Sequence, residues 1–311
     1  MNKIIINKIG QVGSKIRFKF NYLMANTIMR KKIDSGNNYF NIMNDTELVD
    51  KIVFEKKSFS RFGDGELSLI LNKNFFISYQ DNSEDLNNRL REVLESKLDN
   101  MILGINLSFN DPSSYNRNVQ RYCRTFNYLY REKYKKIIPN DNIYGNSSIT
   151  RFYIDYENKD IQGAKKRIEN IKRIWSNQNV LIVEGIHTRL GVGNDLFDNS
   201  KNIRRILIPE TNAFNKYDEI LKCIIKNVNK DEMVLLAAGP TATILVYDLS
   251  KKNIQSIDVG HVDIEYEWMK LGVKKRTAIK GKYVNEIKGK KYNDVAILDK
   301  KYEKQIICRI N

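Results

Sequence analysis

The chain has 311 residues, 41% of them hydrophobic and only four of them proline, so it can bury a sizeable core as one α/β domain or as two unequal lobes. A formal charge of +16 favours anionic partners, whether nucleotide phosphate, acidic lipid, anionic glycan or nucleic acid. Lys and Arg are mixed along the whole chain with 37 acidic residues instead of gathering in one basic element, so no nucleic-acid partner is expected. Cys123, Cys223 and Cys308 stand far apart with no CxxC spacing, which indicates neither a zinc site nor a disulfide framework and fits a reducing cytoplasm. No apolar run approaches the roughly 20 residues that span a bilayer. The first residues also lack the apolar stretch of a signal peptide, so the expected location is the cytoplasm, with the inner face of the cell membrane within reach.

Residues 1–43 form a basic segment carrying Lys3, Lys8, Lys15, Arg17, Lys19, Arg30, Lys31 and Lys32. It reads either as an amphipathic helix in peripheral contact with anionic membrane or as a helix packed on the body with its charges in water. Residues 44–311 read as a single domain. A capped helix over Asp45–Phe54 leads to a strand Phe59–Phe62 that breaks into Gly63-Asp64-Gly65-Glu66. Then come a strand-like Phe75–Tyr79, a helix from Glu84, an apolar strand Met101–Leu107 and an aromatic-rich helix from Asn116. In the second half the pattern predicts helix Ile161–Trp175, strands Val180–Val183 and Arg205–Ile208, and helix Lys216–Val228. Strand Met233–Ala237, helix Thr241–Leu249 and strand Ser256–Val259 follow. Strands without polar alternation, such as Val234-Leu235-Leu236-Ala237, are the mark of a parallel sheet buried on both faces. The fold class is therefore α/β, a Rossmann-like, mostly parallel sheet flanked by helices.

Four groups of residues at predicted strand ends carry chemistry. Asp64 and Glu66 point to the same side if the backbone stays extended past Phe62, where together they can hold one hard cation, Mn²⁺ or Mg²⁺. Gly63 and Gly65 then allow a diphosphate to approach closely, although Asp-Gly alone is also a common turn. Arg189-Leu190-Gly191-Val192-Gly193-Asn194-Asp195 follows a buried strand and suits phosphate or ribose; a tight turn with Asn194 or Asp195 capping a following helix explains it equally well. Gly239, Pro240 and Thr241 open a helix whose free backbone donors suit an anion or, more simply, a helix cap. Last, His261 precedes a helix from Val262 that puts Asp263 and Glu267 on one face, one turn apart.

RFGDGE, RLGVGNDLFDN, LLAAGPTATILVYDLS and IDVGHVDIEYEW, in this order over roughly residues 45–281, resemble the GT-D type bacterial glycosyltransferases with a DxE motif. The resemblance implies a UDP-sugar donor, with glucose as one candidate sugar, and a glycan or glycoconjugate acceptor in surface polysaccharide or glycoprotein synthesis. It places the metal on Asp64 and Glu66. Donor contacts fall to Arg61, Gly63, Arg189, Gly191, Gly193, Gly239, Pro240, Thr241 and His261. Glu267, or else Asp263, serves as the base in an inverting transfer. Two rivals stand beside it. A nucleotide-dependent phosphoryl transferase would share the phosphate-friendly turns but lacks GxxxxGK[ST], and a non-catalytic anion or membrane-surface module would account for the net charge alone.

Overall fold

Nine strands form one sheet in the order β1-β4-β3-β2-β8-β7-β5-β6-β9 in the computed structural model, which describes residues 19–28, 30–31, 39–72, 75–106, 112–157, 161–287 and 299–311. The strands are β1 (Asn41–Ile42), β2 (Ser58–Phe62), β3 (Met101–Ile105), β4 (Ile143–Asn146), β5 (Asn179–Gly185), β6 (Asn202–Ile208), β7 (Glu232–Ala237), β8 (Ser256–Asp258) and β9 (Ile306–Arg309). Pairings from β4 across to β9 are parallel. The expected mostly parallel α/β fold is thus present. β5 and β7, read as fully buried strands from their unbroken apolar runs, are indeed enclosed along most of their length.

The chain divides into two compact units. The larger takes residues 42–106, 143–154 and 159–311 and holds the sheet. In it, α1 (Asp45–Phe54), capped by the Asn44 side chain on the Glu47 N–H at 3.0 Å, sends Leu48, Val49 and Ile52 into the core. That core also contains Phe59, Phe152, Trp175, Ile182, Leu235, Ile257 and Trp268. Gly104 of β3 and Gly145 of β4 lie opposite each other in register, and a Cβ on either would stand 2.8 or 2.7 Å from the Phe59 ring. The two glycines therefore let that ring lie across both strands.

Further helices of this unit are α2 (Asp64–Leu71), α3 (Glu84–Glu95), α5 (Ile161–Lys172), α6 (Tyr217–Asn227), α7 (Pro240–Ser250), α8 (Val262–Lys270) and α9 (Lys300–Gln305), with α4 (Arg117–Tyr134) belonging to the smaller unit. Every residue of α7 except Asp248 is buried, the signature of a helix enclosed on all sides. It is stitched to β2 by Ser60 Oγ donating to the Thr243 carbonyl at 2.9 Å and by Thr243 Oγ1 donating to the Arg61 carbonyl at 3.0 Å.

The smaller unit takes residues 1–41, 107–142 and 155–158. Within it, helical residues 19–23 run into a π-turn at Met24–Ile28, and the Asn26 amide donates to Thr125 Oγ1 of α4 at 3.2 Å. Rings of Phe126, Tyr130, Tyr134 and Phe40 pack as an aromatic row. Of the basic segment, Lys3, Lys8, Lys15, Arg17 and Lys32 lie outside the described residues. Among the described residues no helix is long and apolar enough to cross a membrane.

Two expectations are corrected. Phe75–Tyr79 is no strand: Ile77 and Gln80 form one antiparallel bridge around a tight turn. No helix follows Asn194; residues 196–199 are turns, and the Asn194 side chain accepts from the Leu196 N–H at 3.0 Å. The cysteines distant in sequence are not all distant in space, because parallel pairing of β9 beside β6 brings Cys308 Sγ within 2.7 Å of Cys223 Sγ on α6. Oxidation by a small disulfide reagent is expected to join these two thiols and not Cys123, which is buried elsewhere. Peptide mapping under non-reducing conditions checks this, and recovery of a mixed disulfide on each thiol in place of the cross-link would refute it.

Candidate active site

The sheet reverses its winding between β2 and β8. The chain leaves β2 for β3 on one side, whereas after β8 it runs on to β9 at the far edge, so the loops behind these adjacent strands diverge and open a crevice. Most of the sequence-predicted residues gather here.

Arg61, at the end of β2, is a brace. Its guanidinium donates to the Ser147 carbonyl at 3.0 Å and Thr150 Oγ1 at 2.6 Å beyond β4, and pairs with Asp258 Oδ1 of β8 at 2.9 Å. Gly260, at φ +44°, lies directly beneath it; a Cβ there would stand 1.8 Å from Arg61 Nη2. Only glycine fits that position on both counts.

The acid pair stands on a helix and not on an extended chain. α2 begins at Asp64 with Gly63 as its N-cap, so the two carboxylates occupy the first and third helical positions and the same-side strand geometry is corrected. Glu66 instead bends back, its Oε2 accepting from the Gly63 N–H at 2.9 Å. Burial, together with the neighbouring charges of Asp258 and Asp64, pushes its carboxyl up to about 7 against the backbone donors. Tyr79 crosses the opening. Its ring lies against Gly239, whose added Cβ would meet it at 3.0 Å, and its hydroxyl is 3.8 Å from where a Gly65 Cβ would stand. Burial, then Glu66 and Asp64, raise the phenol's pKa.

Gly239 (φ +56°) turns the chain from β7 into α7, and Pro240 takes the first helical position as expected. Thr241 is fully buried, and its hydroxyl meets no hydrogen-bond partner among the described residues. His261 caps α8 behind β8. Its Nε2 is 3.4 Å from Glu286 Oε1, and Glu286 is also gripped by Arg151 and by Arg276, Nε to Oε2 at 2.5 Å. Burial first, then Arg151, holds the imidazole down at about 3, with Arg61 and Arg276 acting in the same direction. Arg151, Arg276, Glu286 and Tyr79 carry no local motif and arrive on loops distant along the chain.

The remaining predicted residues form a second group. Asp263 Oδ1 accepts from the Gly191 N–H at 2.9 Å and the Asn194 amide at 2.8 Å. Asn194 reaches Glu267 Oε1 as well, at 2.6 Å. Lys282 places its ammonium between both acids, 2.7 Å from Asp263 and 3.0 Å from Glu267. Arg189, at φ +51°, donates to the Gly281 carbonyl at 3.0 Å. Gly191 and Gly193 both have positive φ, and with Asp198, Arg205, Asp299 and Tyr302 they line a cavity of about 250 Å³. Beneath this loop the buried Glu184–Arg205 pair holds Leu190 by both backbone groups, N–H to Glu184 at 2.6 Å and carbonyl to Arg205 at 2.9 Å.

Asp64 and Glu66 present hard oxygen donors crowded by Asp258, a charge set that a divalent cation relieves. No group of three or more His, Cys, Asp or Glu among the described residues is arranged to hold a metal. Two carboxylates alone would need substrate phosphate and water to complete the shell of a Mg²⁺ or Mn²⁺ ion.

A family model described as glycosyltransferase GT-D fold matches residues 59–287, which contain the crevice and both groups. The chain belongs to that GT-D family. It is 34% identical over 266 residues, 85% of its length, to a protein of Streptococcus pneumoniae named glycosyltransferase GlyD. It spans 32% of the length of that GlyD protein. Among solved structures, this GT-D chain is similar at TM-score 0.80 and 34% identity to a domain of unknown function 1792 described as having a distinct glycosyltransferase fold. That match covers 88% of this chain and 96% of the other. A structure described as a new glycosyltransferase from Streptococcus sanguinis matches at TM-score 0.79 and 31% identity, covering 88% and 100%.

Proposed function

We propose that the chain transfers a hexosyl group, glucose being the first to test, from a UDP-sugar to a glycan or glycoconjugate acceptor, with a divalent cation at Asp64 and Glu66. The observation that carries this reading is the acid pair at the start of α2, set in the β2/β8 crevice beside the positive end of α7. When bound, the cation supplies charge stabilisation to the departing diphosphate. The chain's own residues do the rest. Backbone donors at Thr241 and beyond, with Thr241 Oγ1, face the anion, and Arg61 keeps the ends of β2, β4 and β8 in register around it.

For the acceptor hydroxyl, the proposed proton acceptor is Glu267. Of the two acids compensated by Lys282, its side chain is 16% exposed where Asp263 is at 1%, so it is the one an acceptor can meet. A single displacement of that kind inverts the anomeric centre. The test is a panel of UDP-sugars incubated with Mn²⁺, with ATP as a parallel arm, read as release of UDP or ADP. Metal-dependent UDP release from one sugar is the expected result. Turnover of ATP alone would replace sugar transfer by phosphoryl transfer.

A further inference from the structure

We propose that the smaller unit docks on an anionic lipid surface, with the outward side of residues 19–31 lying among the headgroups. The inference is independent of the sugar-nucleotide reading above, and no sugar transfer is needed to test it.

The helical stretch 19–28 packs on α4 by one side. Ala25 is fully buried there, and the Asn26 amide donates to the Arg121 carbonyl at 3.3 Å as well as to Thr125. The other side faces out, and it is apolar where a helix packed on a domain normally turns charges to water. Phe20 and Leu23, three residues apart and so neighbours on a helix surface, are 59% and 57% exposed. Thr27 continues the same exposed side, but its hydroxyl donates to the Leu23 carbonyl at 2.6 Å and so is satisfied within the segment. The strip thus offers two large apolar side chains and a hydroxyl that is already bonded. Charge stands at its ends instead, with Lys19 before Phe20 and Lys31 beyond Thr27, both exposed. This is the arrangement of a segment that lies in a membrane interface: apolar groups enter the acyl boundary while long cationic side chains reach the phosphates.

Charge also selects lipid over the other occupants of an apolar strip. The smaller unit holds 15 of the 53 Lys and Arg against 6 of the 37 Asp and Glu, so more than half of the formal charge of +16 falls on it. Lys19, Lys31, Arg117 and Arg121 are exposed and form no ion pair among the described residues. Two copies meeting through this strip would bring two like fields together, which opposes self-association. Nucleic acid would satisfy the cations and leave Phe20 and Leu23 in water. An anionic bilayer satisfies both, because it attracts each cation near its surface and buries the two side chains. Tyr122, 47% exposed on α4 beside Arg121, adds a ring of the amphipathic kind that favours such an interface.

The experiment sediments the full chain with vesicles of phosphatidylcholine alone and with vesicles of phosphatidylcholine and phosphatidylglycerol in equal parts. Binding to the anionic vesicles alone is expected, and added salt should weaken it. Phe20→Ser/Leu23→Ser should weaken it by more than about tenfold, and Lys19→Gln/Lys31→Gln by about tenfold. Phe54→Ser, at an aromatic residue 73% exposed on the larger unit, should leave it unchanged. No binding to either vesicle, equal binding to both, or full binding by Phe20→Ser/Leu23→Ser overturns the proposal. Sedimentation equilibrium without lipid reads the rival occupant: a wild-type dimer that Phe20→Ser/Leu23→Ser converts into a monomer assigns the strip to a second copy and overturns it as well. So does tighter binding of a single-stranded RNA than of the anionic vesicles. Should Phe20→Ser/Leu23→Ser fold poorly by circular dichroism, Lys19→Gln/Lys31→Gln decides alone, since both side chains are on the surface; unchanged binding to the anionic vesicles then overturns the proposal.

Discussion

Asp64→Asn and Glu66→Gln are each expected to lower metal-dependent sugar transfer by about 10²–10³-fold while the fold survives. Glutamine at 66 keeps an oxygen that can accept the Gly63 N–H, so the turn from β2 into α2 remains closed and only the charge is lost. Asparagine at 64 likewise keeps a group suited to a helix start. What disappears in either variant is half of the hard donor set; Asp64→Asn also removes one of the two charges that crowd Glu66 and leaves that of Asp258. Release of UDP with and without Mn²⁺, with circular dichroism to confirm the fold, reads the effect. If Glu66 does no more than cap α2, Glu66→Gln will work as well as the wild type. If both variants match wild type in chelator, the cation has no part in transfer.

How much of this was legible from residues alone depended on the range of the forces involved. β5 and β7 were readable because a strand buried on both faces has no polar alternation. β4 was not, since Gly145 and Asn146 weaken its pattern and its place is fixed by pairing Gly104 with Gly145 under the Phe59 ring. β9 was missed for a related reason: Ile306-Ile307-Cys308-Arg309 is short and joins an edge, with its register set by β6. Phe75–Tyr79 misled in the opposite direction, as its aromatics have strand propensity but Tyr79 is held in a turn against Gly239. Within the site, short motifs located the turns at strand ends, because glycines and acids there are local features. The helical start at Asp64 escaped since its cap is a glycine, without the Ser, Thr, Asp or Asn that signals one. Arg151, Arg276, Glu286 and Lys282 depend on contacts between distant segments, for which no local pattern exists.

Lys282→Met is expected to destabilise the protein by about 3–5 kcal/mol, the usual cost of removing one member of a buried ion pair. Its ammonium is 2% exposed and lies between Asp263 and Glu267, so methionine preserves volume and leaves two acids facing each other with no cation. Asp263 suffers more. At 1% exposure it has only the Gly191 N–H and the Asn194 amide left as donors, too few to balance a full charge out of water. The loop 189–195 hangs on that same carboxylate, so its fastening weakens as the pair breaks. Denaturant unfolding compares the variant with Asp263→Asn/Glu267→Gln/Lys282→Met, in which no charge remains. Because the three groups share one network, the triple variant is expected to recover much of the loss instead of adding to it. A single-variant loss below about 1 kcal/mol, the range of an exposed pair, would mean that water reaches Asp263 and that the loop is held by its glycines.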